Sequence, residues 1–98
     1  MNTERGASMK NRRERTFLKG LCKGHIQDLI EEVGWTPIQC AMVRKRYIEF
    51  KSVPRICIET CQATTTYNRN FEDICRKLRS YMLTIDNLEM LKLYNTQI

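Results

Sequence analysis

Nowhere along these 98 residues do apolar and polar side chains alternate long enough to make a half-buried strand, whereas apolar residues recur every three or four positions in segment after segment. That pattern predicts an all-α fold, a small domain of four to five helices. Phe17, Leu18, Leu21, Cys22, Ile26, Leu29, Ile30 and Val33 describe one amphipathic helix starting at Thr16 and ended by Gly34. Gly20 and Gly24 lower its intrinsic helicity by ~1 kcal/mol each, so tertiary contacts must hold it. Thr36 can cap a second helix with Pro37 in its first position, running to about Phe50. Ser52 and Pro54 open a third, of roughly two turns, around Ile56, Cys57 and Thr60. The run Ala63 to Thr66 is β-branched but has no partner segment, so it is expected to act as a helix cap. From there Tyr67, Phe71, Ile74, Cys75, Leu78 and Met82 keep helical spacing, with Arg76, Lys77 and Arg79 towards the end where cations suit the dipole. A short amphipathic tail opened by Thr84 carries Ile85, Leu88, Leu91 and Leu93.

A chain this short buries about 60–65% of its unfolded surface and has room for one core. An apolar share of 42% with 29% charged residues favours folding over disorder. Seventeen Lys plus Arg against eleven Asp plus Glu leave a net charge of +6, which points to an anionic partner, nucleic acid before acidic protein. The excess is concentrated. Residues 1–15, with Arg5, Lys10, Arg12, Arg13 and Arg15 but almost no large apolar side chain, are expected to form a flexible basic arm ahead of a single helical domain over 16–98. Such an arm suits either a minor groove or plain terminal disorder. Most of the remaining positive charge falls in residues 36–83, the part of the chain in which function is sought.

The cysteines, Cys22, Cys40, Cys57, Cys61 and Cys75, are odd in number and irregularly spaced. No stretch resembles an export signal or the ~20 apolar residues of a membrane span, so the expectation is a cytoplasmic protein with reduced thiols. Close zinc-ligand spacing is missing, and Cys57 with Cys61 one turn on, helped by Cys75, is the nearest approach; small buried thiols are the simpler reading. No metal or cofactor is expected. The single histidine, His25, has no catalytic partner nearby in sequence, and the scattered glycines form no phosphate-cradling loop, so an enzyme is not expected either.

The short helix, the turn and the longer basic helix that begins with small polar residues together make a helix-turn-helix arrangement over about 53–82. In such a unit the first helix lies across the phosphate backbone and the start of the second enters the major groove. Thr64, Thr65 and Thr66 are short enough to allow close approach, and they can meet phosphates or thymine methyls. Asn68 and Arg69 have the geometries that read adenine and guanine edges. Lys51, Arg55 and Arg76 are expected to meet phosphates, giving affinity and salt dependence but little sequence choice. Arg44, Lys45 and Arg46 form the densest basic cluster inside a helix.

The stretch Arg46-Tyr47-Ile48-Glu49-Phe50-Lys51-Ser52-Val53-Pro54-Arg55-Ile56-Cys57, followed by Thr66-Tyr67, Ile74 and Leu78, resembles the promoter-reading fourth domain of bacterial sigma factors, and still more the small sigma-like regulators of phages and mobile elements. The resemblance covers roughly residues 36–82. It departs from the family at Lys45, usually leucine, at Cys61, usually glycine or asparagine, at Gln62, usually apolar, and at Ala63, usually serine. Without the apolar anchor at Gln62, looser packing of the two helices is expected. The resemblance implies a duplex-DNA-binding transcriptional regulator working near RNA polymerase, without a promoter-melting domain. The alternative is a small interaction protein that uses the same fold to grip RNA polymerase, a sigma factor or a host defence protein. The tail leucines Leu88 and Leu91 suit either a homodimer or packing on the chain's own first helix.

Overall fold

The computed structural model describes residues 11–96, and among them all regular structure is helical. Six elements follow in order: α1 (Arg12–Gly20), α2 (Lys23–Glu32), α3 (Pro37–Val43), α4 (Val53–Glu59), α5 (Thr64–Met82) and α6 (Leu88–Asn95). A π-helical stretch, Arg44–Ile48, continues α3. None of these helices is long and apolar enough to cross a membrane.

The longest helix, α5, is the axis. Its buried stripe of Tyr67, Ile74, Cys75, Leu78 and Met82 meets α1, α3 and α4. Phe17 and Leu18 of α1, Ile26 and Leu29 of α2, Met42 and Val43 of α3 and Ile56 of α4 complete the core. Polar contacts from Trp35 and Gln39 fix α3 on α5. The Trp35 indole Nε1 donates to the Ile74 carbonyl at 3.1 Å. Buried Gln39 shares a capping box with Thr36 and donates through Nε2 to Asp73 Oδ2 at 2.8 Å.

Several sequence expectations give way. The helix predicted from Thr16 to Val33 is two helices, because Leu21 and Cys22 are extended and the chain turns after Gly20. A 3.6-residue period cannot register that break, since the apolar stripe resumes in phase beyond it. The arm predicted over 1–15 is helical from Arg12, and Glu14 within it is buried; residues 1–10 lie outside the described part. Glu14 explains the difference: its Oε2 accepts from the Tyr94 hydroxyl at 2.6 Å and its Oε1 pairs with Arg79 at 3.3 Å, tying α1 to α6 and α5. Phe17 adds an edge-to-face contact with Tyr94, ring centroids 5.3 Å apart.

The second helix, expected to reach Phe50, leaves α geometry at Arg44 and stops after Ile48, with Glu49 N–H donating back to the Arg44 carbonyl. Phe50, at φ 58, turns the chain towards α4. The tail is opened by Asn87, whose side chain accepts from Met90 N–H, and Thr84 instead closes α5 by donating to the Tyr81 carbonyl. Its buried residues are Met90 and Tyr94, while Leu88 is 79% exposed. The threonine run does open α5, but no side chain caps it: Ala63 holds the cap position.

Candidate nucleic-acid interface

Short α4 starts where Ser52 Oγ accepts from Arg55 N–H at 3.3 Å and Pro54 occupies the first turn, where no amide hydrogen is needed. It buries Ile56 and Cys57. The end of α4 is a Schellman turn: Gln62 N–H donates to the Cys57 carbonyl at 2.9 Å, Cys61 N–H to Ile58 at 3.3 Å, and Cys61 sits at φ 55. That left-handed conformation is the one for which glycine or asparagine is best suited, and this chain supplies cysteine there.

Gln62 is part of a hydrogen-bonded chain instead of an apolar anchor. Asn70 Nδ2 donates to Gln62 Oε1 at 2.7 Å, Gln62 Nε2 donates to Thr60 Oγ1 at 2.7 Å, and Thr60 Oγ1 donates to the Ile56 carbonyl at 2.6 Å. Three bonds in series thus run from α5 across the turn to α4. The looser packing expected from a polar Gln62 is offset by Asn70, a partner eight residues away that spacing alone does not reveal.

All five predicted base-reading residues are exposed. Helix geometry sorts them. Thr65, Arg69, Glu72 and Arg76 recur at i, i+4, i+7 and i+11 and form one stripe, with Asn68 beside Arg69 and Thr64 at the helix start. Thr66 neighbours Arg69 at i, i+3 on the side of α5 that faces away from Asn68 and towards Asn70 and Asp73. Arg69 makes no ion pair among the described residues. The stripe borders a cavity of about 420 Å³, walled by Arg69, Glu72, Arg76 and Arg79 and closed by Asn11 at the start of α1.

The three predicted phosphate contacts are each held by carboxylates. Lys51 Nζ lies 2.8 Å from Glu59 Oε1 and 3.1 Å from Glu49, and Arg55 Nε lies 3.0 Å from Glu59 Oε2. Lys45 adds a third cation to Glu59 at 2.8 Å. Hydrogen bonds from Lys45 and then Lys51 hold the Glu59 carboxyl down at about 2. Arg76 pairs with Asp73, which also faces Gln39 and Lys77. Glu59 is the residue that sequence reasoning overlooked; the i, i+4 spacing from Arg55 was the available signal. Arg46 donates to the Lys51 carbonyl at 3.1 Å and so steadies the approach to α4.

The thiols divide by burial: Cys57 and Cys75 are buried, Cys22 and Cys61 exposed, Cys40 between. Burial pushes the Cys75 thiol up to about 12. Among the described residues no three His, Cys, Asp or Glu side chains gather as metal ligands would. His25 is half-buried beside Asp28, Glu32 and Tyr81 around a cavity of about 120 Å³.

No protein-family model, curated protein or solved structure matches this chain.

Proposed function

We propose that this protein is a duplex-DNA-binding transcriptional regulator of the sigma-domain-four-like helix-turn-helix kind, of the sort encoded by phages and mobile elements, acting in the cytoplasm. The observation that carries the reading is the first two turns of α5. Thr64, Thr65, Asn68 and Arg69 stand exposed there, behind a seven-residue α4 and a hydrogen-bonded turn, while Tyr67 anchors the same turns in the core. Short side chains allow the backbone near a groove floor, and Arg69, without a carboxylate partner among the described residues, keeps its guanidinium for a guanine edge. Glu72 adds an acceptor on the same stripe, a match for a cytosine amino group.

Fluorescence anisotropy with a mixed-sequence duplex across a salt series tests the reading. Binding is expected to weaken steeply with salt, and a site selected from random DNA should lose about 1–3 kcal/mol with Arg69→Ala while random DNA loses much less. Equal losses on both would rule out base reading by Arg69, and no binding at low salt would rule out the DNA interface.

A second reading, an interaction protein for polymerase, a sigma factor or a host defence protein, is favoured by one feature of α4. Its outer face presents Ile58, 73% exposed, beside cations already neutralised by Glu59. That surface is better suited to a protein than to phosphate. Pull-down of such a partner, undiminished by Asn68→Ala with Arg69→Ala, would support it.

A further inference from the structure

The cations around α4 and along the second half of α5 share a few carboxylates between them. Lys45, Lys51, Arg55, Arg76, Lys77 and Arg79 all lie within ion-pair distance of a carboxylate. A cavity of about 570 Å³ contains none of these. It is walled by Arg12, Arg15 and Lys19 of α1, by Arg46 and Tyr47 of the π-helical stretch, and by Phe50. No carboxylate lines it, and Arg12 and Lys19 make no ion pair among the described residues. Helix geometry makes the α1 wall a single stripe, because residues 12, 15, 16 and 19 fall at i, i+3, i+4 and i+7.

The remaining wall is aromatic. Phe50 is 69% exposed and held at φ 58, a left-handed conformation that non-glycine residues rarely adopt. Lys23 Nζ sits 5.5 Å from its ring centroid. Tyr47 lies half-buried beside it. A cavity of this size is within the ~300–1,000 Å³ usual for small-molecule sites.

We propose that this cavity binds a nucleotide unit, with its phosphates on Arg12, Lys19 and Arg46 and its base against Phe50. Three cations outside any ion pair among the described residues, on a wall to which no described carboxylate contributes, call for a multiply charged anion, which a single carboxylate ligand cannot provide. Guanidinium forks match phosphate oxygens in pairs. An exposed ring at the lip, already backed by a cation, is a stacking platform for a planar heterocycle. The unit is supplied by a free nucleotide or by a single strand. This site shares no residue with the α5 stripe, so it stands or falls apart from the duplex-binding proposal.

Isothermal titration of the full chain at low salt, with ATP, sodium triphosphate and a single-stranded oligothymidylate, tests it. ATP is expected to bind about tenfold more tightly than triphosphate, and Phe50→Leu, which keeps an apolar side chain at the same backbone angle, should remove that difference and leave triphosphate unaffected. Arg12→Gln with Lys19→Gln, both exposed positions, should weaken both phosphate probes about tenfold or more. Oligothymidylate that competes with ATP would make a single strand the source; ATP binding without oligothymidylate binding would make it a free nucleotide. Failure of both phosphate probes to bind, or equal binding by the Arg12/Lys19 variant, would overturn the site, and equal affinity for ATP and triphosphate would overturn the stacking role of Phe50. Asn68→Ala with Arg69→Ala should leave ATP binding intact, so loss of duplex binding in that variant is separable from failure here.

Discussion

Replacing Glu14 by alanine removes the one carboxylate that joins the first helix to the last. Its side chain is 3% exposed and accepts the Tyr94 hydroxyl at 2.6 Å, inside a region where Tyr94 is itself buried. A hydrogen bond to a charged acceptor contributes ~1.5–3 kcal/mol, and a buried hydroxyl left without a partner costs about 1–3 kcal/mol, two views of the same loss rather than a sum. The Arg79 contact at 3.3 Å adds little, ~0–1 kcal/mol, because that side chain is 40% exposed and rehydrates. The expected destabilisation is therefore about 2–4 kcal/mol, or roughly 10–25 °C in Tm for a domain of this size. Urea unfolding followed by far-ultraviolet circular dichroism measures it, and Tyr94→Phe provides the second corner of a double-mutant cycle. The two changes should couple by about 1–2 kcal/mol, since each removes the same bond. A loss below ~0.5 kcal/mol for Glu14→Ala, the value of a solvated surface site, would refute the docking of α1 through Glu14.

Cutting the bridge across the turn with Gln62→Ala should cost about 1–2 kcal/mol in the same assay, and Asn70→Ala about 1 kcal/mol; a neutral Gln62→Ala would show that the turn holds without it. All four tyrosines titrate above the ordinary phenol value, led by burial, with Tyr81 and Tyr94 pushed up to about 12. Their contribution to stability is complete below the unfolded value near 10 and fades as pH rises through the folded values, so phenolate absorbance should show no step near pH ~10 and should rise only as the fold is lost. Glu59 has the opposite sign: its contribution is present above the unfolded value of ~4.3 and is lost as pH falls towards about 2, and Glu59→Gln should flatten acid unfolding in that window. The same variant frees Lys45 and Arg55 and leaves Lys51 with Glu49 alone, so duplex affinity should rise and its salt dependence should steepen; unchanged salt dependence would mean that α4 does not touch phosphate.

The helical reading came from local causes that leave marks in the sequence. Thr36-Pro37 and Ser52 with Pro54 open α3 and α4 as their capping chemistry requires, and the stripe from Tyr67 to Met82 is the buried face of α5. Local marks misled where a break kept phase, as at Leu21–Cys22, or where a charged residue had a distant use. Glu14 looked like one more polar residue in a basic arm because its partners, Arg79 and Tyr94, are far along the chain. The candidate site divides in the same way. The exposure of Thr65, Asn68 and Arg69 follows from spacing, and so does the position of Thr66 on the far side of Arg69 from Asn68. The neutralisation of Lys51, Arg55 and Arg76 does not, nor does the gathering of Arg12, Lys19, Arg46 and Phe50 around one cavity.

By itself the sequence determined that this chain is helical, where α3 and α4 begin and which face of its longest helix is buried, because hydrogen bonds four residues apart and side chains three or four apart are set by neighbours. Tertiary structure alone decided which charges cancel and which remain. Coulomb attraction depends on distance in space, and only folding set Glu59 among three cations while bringing α1 to Arg46 with no carboxylate between them.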